Sequence, residues 1–277
     1  MNEPWSAYNR DVWDGYVERG IEWTRPVAPE VIAAARRGEF SLGLIENWPI
    51  SADWWPPHLP GCDVLCLASG GGQQGPVLAA VGANVTVFDA SPRQLAQDRL
   101  VAERDGLTLR TIQGDMRDLS ALADASFDLI VHPISNCFCP DVLPVWRECH
   151  RVLRPGGVLL AGFTNPCVYV LDFFRIDDAG VLEVRHRLPY ADVTHLTPAE
   201  LERLRREGAA VEWSHSFDEQ IGGQLAAGFV ITGFKEGRCS HLEAQYMPTQ
   251  FATRAVKPLQ PQERPPCPTP TPSPSTR

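Results

Sequence analysis

Lysine is nearly missing from this chain. Its 277 residues include only Lys235 and Lys257, both late in the sequence. A Gly-Lys-Ser/Thr phosphate loop and a central Schiff-base lysine are therefore excluded. No Cys-x-x-Cys pair occurs among the eight cysteines, which removes the strongest sequence signal for structural zinc or a redox dithiol. Cys137 and Cys139 stand one residue apart and give only a weak metal signal, so no metal is expected and the cysteines read as packing groups. No apolar run approaches the ~20 residues of a membrane span. The opening MNEPWSAYNRDVWDGY has no apolar signal core. Basic charge is also short: 25 Lys and Arg against 34 Asp and Glu leave a net charge of −9. That argues against sequence-independent nucleic-acid binding and against anionic membranes. The expectation is a reduced, cytoplasmic protein with no nucleic-acid or membrane partner.

What remains is ordinary globular composition, 44% hydrophobic and 21% charged, enough for a sizeable core. The chain divides into three parts. Residues 1–60 hold six of the eight tryptophans and a short helix at Val31–Arg37, and read as a helical extension or lid. Residues 61–257 alternate short apolar runs with helical stretches. Residues 258–277 carry eight prolines, which predicts a disordered tail. Within the middle part, strands are expected at Asp63–Ala68, Asn84–Asp89, Leu107–Ile112, Phe127–Val131 and Val158–Phe163, with two more at Phe229–Phe234 and Phe251–Val256. The run Asp63–Ala68 lacks polar alternation, as a strand buried on both faces should. Helices between the strands imply a parallel sheet with right-handed crossovers. An insertion at about 165–212 contains a turn at Asp177–Gly180 and a helix capped by Thr197; a last helix spans Phe217–Ala227.

The chemistry concentrates after the first of these strands. Gly70-Gly71-Gly72-Gln73-Gln74-Gly75 follows a strand and opens a helix, so its backbone can approach a ligand beside free helix N–H groups. Asp89 ends the next strand, where a carboxylate accepts from ribose hydroxyls. This pair alone suits any adenosine cofactor. Gln113-Gly114-Asp115-Met116, Phe127–Val131 and Arg154-Pro155-Gly156-Gly157 then follow in order. With these motifs, 61–163 resembles the class I S-adenosylmethionine-dependent methyltransferases of the small-molecule type.

The resemblance implies an α/β, Rossmann-like doubly wound sheet of seven strands, the last antiparallel, with helices on both faces. It implies S-adenosylmethionine as cofactor and a small-molecule acceptor. Ala68, Ser69, Gly70 and Gly72 would line its methionine and ribose portion. Asp89 would take the ribose hydroxyls, with Ala90 beside the adenine. Asp115 would accept from the adenine amino group, and Met116 would pack on the ring. His132 and Pro133 would lie near the transferred methyl. Two positions depart from the family pattern: Cys66 stands where an acid is usual, and Ala68 where glycine is usual, which is compatible if Ala68 has negative φ. His132 and His215 are the candidate general bases, Asn136 a candidate substrate contact, and Tyr8 and Trp13, with Tyr16, candidates for a lid. His195 and Tyr190 are weaker candidates within the insertion. Two other readings stay open: a non-catalytic cofactor-binding or scaffold protein, and an NAD(P)-dependent oxidoreductase, against which stands the lack of a Tyr-x-x-x-Lys pair.

Overall fold

The computed structural model describes residues 3–259. The proline-rich tail predicted at 258–277 lies, from residue 260 on, outside the described residues. The chain opens with a helix, Glu3–Arg19 (α1), and a second, Pro29–Ala35 (α2). A short antiparallel hairpin follows, Gly43–Ile45 (β1) with Trp48–Pro49 (β2). The extension expected to be helical thus carries a hairpin as well as its helices. The hairpin forms because Leu44 and Ile45 bury against the main sheet, and β1 lies so close to it that a Cβ on Gly162 would meet the Leu44 carbonyl oxygen.

Seven strands make the main sheet: Asp63–Leu67 (β3), Asn84–Asp89 (β4), Leu109–Gln113 (β5), Phe127–His132 (β6), Leu153–Thr164 (β7), Val230–Gly237 (β8) and Gln250–Val256 (β9). Their spatial order is β5-β4-β3-β6-β7-β9-β8. The first five run parallel, and β9 is antiparallel to both β7 and β8. Winding reverses between β3 and β6, and ligands in such sheets bind outside the carboxyl ends of the strands at that reversal.

Residue alternation assigns the two faces. Val64, Cys66, Val85, Val87, Leu129 and Val131 pack on one side with Gln74–Val81 (α3), Pro92–Asp105 (α4), α2 and the hairpin. Leu65, Leu67, Phe88 and Ile130 pack on the other against Trp146, Cys149 and Val152 of Leu143–Val152 (α5). Both faces are covered, which is why β3 reads as an unbroken apolar run.

Local signals explain most helix ends. Ser91 Oγ accepts the Gln94 N–H at 3.0 Å, Pro92 occupies the first turn, and Gly106 closes α4 at φ +61°. After β7 come the helices Phe173–Ala179 (α6), Asp192–His195 (α7) and Pro198–Glu207 (α8). Thr197 and Glu200 form a reciprocal capping box at the start of α8. The turn predicted at Asp177–Gly180 is instead the end of α6, capped by Asp172 and stopped by Gly180 at φ +63°. The helix predicted over Phe217–Ala227 is interrupted: Asp218–Gly222 forms a π-helical turn, and only Gly223–Ala226 (α9) is regular.

Candidate active site

The carboxyl ends of β3, β4, β5 and β6 converge on the glycine turn. The chain leaves β3 with Ala68 at φ +47°, followed by Gly71 at +115° and Gly72 at +75°. The condition set for Ala68, a negative φ, is thus not met. Its N–H donates to the Phe88 oxygen at 2.7 Å, which holds it left-handed at a cost of roughly 1 kcal/mol for a residue with a Cβ. Gly70 N–H donates to Asp89 Oδ2 at 3.0 Å, and Ser91 N–H donates to Oδ1 at 2.9 Å. A Cβ on Gly70 would stand 2.7 Å from Gln94 Cβ and 3.2 Å from Asp89 Oδ2, so only glycine lets the turn close on the acid. Burial raises the Asp89 carboxyl above its ordinary range, while the N–H groups of Ser91 and Gly70 pull the other way. Two backbone donors leave this carboxylate with free acceptor capacity.

The neighbouring positions differ in access. Ala90 is exposed, Asp115, Met116 and Pro133 are half-buried, and Ser69 is buried. Asp115 has a partner that the sequence reading missed. Arg117 donates from its backbone N–H and Nε to Oδ1, at 2.9 and 3.0 Å, and its Nη2 reaches both Oδ2 and the Ser6 hydroxyl on α1. Burial alone would raise the Asp115 carboxyl, but Arg117 outweighs it and leaves the group below the usual carboxylate range.

The two histidines are not open to a ligand. His132 has no exposed surface. Its Nδ1 lies 3.0 Å from the Leu67 oxygen and its Nε2 2.8 Å from Asn136 Oδ1. Asn136 is equally enclosed and donates from Nδ2 to Gln220 Oε1 at 3.0 Å. His215 Nε2 sits 3.0 Å from the Asn136 oxygen and 2.9 Å from the Cys139 oxygen. Burial holds both rings below the ordinary histidine range. The expectation that His132, His215 or Asn136 faces a substrate is corrected: the alternation of β6 turns His132 into the second core face, beside Trp146.

The lid aromatics are also anchors. The Tyr8 hydroxyl donates to the Ala209 oxygen at 2.8 Å, Tyr16 accepts from the Ala210 N–H at 3.1 Å, and Trp13 packs edge-on against Phe138 at 5.1 Å. What reaches the glycine turn is the segment after α1. Gln73 Nε2 donates to the Glu22 and Arg25 oxygens at 3.1 Å, and Val27 N–H to the Gly72 oxygen at 2.9 Å.

Beyond β6 and β7 lies a group of acids and phenols, of which only Tyr190, a weaker candidate, was marked in the sequence. The Tyr169 hydroxyl donates to Glu212 Oε2 at 2.6 Å. Tyr190 donates to Asp192 Oδ1 at 2.6 Å, and the two tyrosine rings stack at 5.6 Å. Burial first, and the Asp192 charge second, push the Glu212 carboxyl up to about 7. Ile134, Phe138, Phe173 and Met247 pack around this group. The weaker candidate His195 lies against Tyr190 at 4.9 Å. Metal-ligand side chains gather elsewhere, on the β8–β9 connection, where Cys239, His241 and Glu243 bring their ligand atoms within 4.8 Å of one another. Among the described residues no helix is long and apolar enough to cross a membrane.

Comparison with known proteins gives the family and the fold. A family profile described as "Methyltransferase domain" matches residues 65–161. An uncharacterized methyltransferase of Bacillus subtilis, YbaJ, is 49% identical over 251 residues, covering 91% of this chain and 98% of its own. An S-adenosylmethionine-dependent methyltransferase from Mesorhizobium loti shares the fold at TM-score 0.57 and 22% identity, over 73% of this chain and 93% of that one. A methyltransferase from Methanosarcina mazei does so at TM-score 0.53 and 18% identity, over 78% of this chain and 100% of that one.

Proposed function

The chain belongs to the class I S-adenosylmethionine-dependent methyltransferases, and we propose that it carries the methyl group to a small-molecule acceptor held beyond β6 and β7. The observation that carries this reading is the Asp89 carboxylate, locked at 3.0 Å to the Gly70 N–H with acceptor capacity to spare. Three features fit the cofactor: that acid, a turn too tight for side chains at Gly70 and Gly72, and the Ser69 hydroxyl, which is buried without a partner in the protein.

The cofactor supplies a methyl group already activated by a positively charged sulfur, so the chain has chiefly to place and orient the reactants. Ala68, Ser69, Gly70 and Gly72 line the methionine and ribose side. Asp89 accepts from the ribose hydroxyls, Ala90 and Met116 border the adenine, and Asp115 keeps its orientation through Arg117. Pro133 faces the transfer point. His132 positions rather than reacts, since it braces the Leu67 carbonyl at the end of β3, three residues before Gly70. Residues 22–27 cover the turn, and α1 ties that cover to the segment around 209–211. On the acceptor side Glu212 is the group whose titration falls near neutrality, the range in which a general base is most effective.

The acceptor class is tested with S-adenosylmethionine labelled in its methyl group and a bacterial extract split by size. Label appearing in the low-molecular-weight fraction supports a small acceptor. Label confined to protein or nucleic acid refutes it.

A further inference from the structure

Asp98 lies on α4 with no exposed surface. Its Oδ2 accepts the Gly71 N–H at 3.1 Å. Its Oδ1 is buried and has no hydrogen-bond partner in the protein. A Cβ on Gly75 would come within 3.1 Å of that second oxygen, so the carboxyl spans the underside of the turn from Gly71 to Gly75. The titratable groups facing it are Asp89 on β4 and Cys66 on β3; neither is a cation.

Its surroundings are as unusual. Six buried side-chain polar atoms lack a partner among the described residues, and five of them are here: Ser69 Oγ, Gln74 Oε1, Gln94 Oε1 and Nε2, and Asp98 Oδ1. Gln94 stands one helical turn before Asp98, and its Oε1 is 2.9 Å from where a Cβ on Gly71 would be. Buried polar groups nearly always find partners. Five such atoms around one turn leave polar capacity there that the chain's own groups do not meet.

We propose that Asp98 is the positioning acid of the cofactor turn: it holds the Gly71 N–H from beneath and sets a negative charge under a cationic cofactor, at a place where Cys66 supplies none. This rests on the cofactor reading above. Burial pushes the Asp98 carboxyl up to about 8, with the Gly72 and Gly71 N–H groups opposing and the Asp89 charge adding to the rise. The free protein therefore holds Asp98 mostly protonated at neutral pH, and a bound cation favours its ionised form. Affinity for S-adenosylmethionine rises with pH through that range. Affinity for S-adenosylhomocysteine, which lacks the sulfonium charge, rises less.

The test is calorimetric titration of the full chain with S-adenosylmethionine and with S-adenosylhomocysteine at pH 6.5 and 8.5, for wild type, Asp98→Asn and Asp98→Ala, together with thermal unfolding of each free protein. Asparagine matches the protonated acid in shape, so Asp98→Asn should bind within about twofold of wild type at pH 6.5. At pH 8.5 it should bind S-adenosylmethionine about tenfold more weakly, the size of one pKa unit of linkage. Asp98→Ala should be weaker at both values. Free Asp98→Asn should unfold no earlier than wild type at pH 8.5, because it lacks a buried unpaired charge. Unchanged affinity in both variants overturns the proposal, as does an equal loss of affinity and stability in Asp98→Asn at both pH values. A wild type that binds neither ligand overturns the cofactor reading itself, whereas binding that ignores position 98 leaves that reading standing.

Discussion

Ala68 and Glu212 show what single residues contribute. Ala68 occupies a left-handed position, φ +47°, that glycine adopts without strain. Ala68→Gly relieves that strain but adds freedom to the unfolded chain, effects of ~1 kcal/mol each that largely cancel. Thermal unfolding should shift little, and cofactor affinity should hold or improve. Glu212→Gln should lower turnover by about 100-fold, the scale of lost general-base catalysis. In wild type the rate should climb with pH through about 7 as Glu212 ionises; in the variant that acid limb should vanish, as a pH–rate profile would show. Asp89 and the glycine turn were legible in the sequence because their chemistry is local: strand, turn, helix and acid at fixed spacing. Glu212, Asp98 and Arg117 were not. Glu212 and Asp98 matter only once packing brings Tyr169 and Gly71 against them, and Arg117, two residues from Asp115, completes no motif that would mark it.

Elements repeat the contrast. Strands β3 to β7 and helices α4 and α8 were readable, since each carries its own signal: an apolar run, the Ser91-Pro92 start, or the Thr197 box with Gly208 at φ +61°. The hairpin β1–β2 was not, because three- and two-residue strands are stabilised only by the sheet beneath them. The π-helical turn at Asp218–Gly222 was equally hidden. It answers to a buried polar chain: Asn136 donates to Gln220 at 3.0 Å, Gln224 Nε2 to the Gln220 oxygen at 2.9 Å, and Thr253 to Gln224 Oε1 at 3.0 Å. The pair Gly222-Gly223, which has no evident purpose in a plain helix, now has one at its second member. A Cβ on Gly223 would stand 2.7 Å from Trp146 Cδ1. Gly223→Ala should destabilise the protein by about 1–3 kcal/mol through overpacking, measured as a lower denaturant midpoint at unchanged slope.

At the scale of the whole molecule, two core faces hold a sheet whose carboxyl edge is roofed by α1, residues 22–27 and the 165–213 segment. Beneath that roof two histidines are buried, His132 on β6 against the Leu67 oxygen and His215 against the Asn136 and Cys139 oxygens of the segment after β6. Their folded-state pKa values lie below the ordinary value of 6.5, so the stability they contribute is complete above about pH 6.5 and is lost as pH falls through the lower folded values. Thermal unfolding should therefore move to lower temperature on acidification below about pH 6.5, and less so when His215→Asn removes one of the two groups. The sheet and the cofactor half of the site could be anticipated from order and spacing. The acceptor half could not, because it is assembled from segments that meet only in the folded chain. That Asp89 and the glycine turn form an S-adenosylmethionine site is tested by calorimetric titration of wild type and Asp89→Ala with that cofactor. Saturable binding by wild type, weakened at least about tenfold, or ~1.4 kcal/mol, in Asp89→Ala with its fold intact, is the predicted result. No binding by wild type, or equal binding by both proteins, would contradict it.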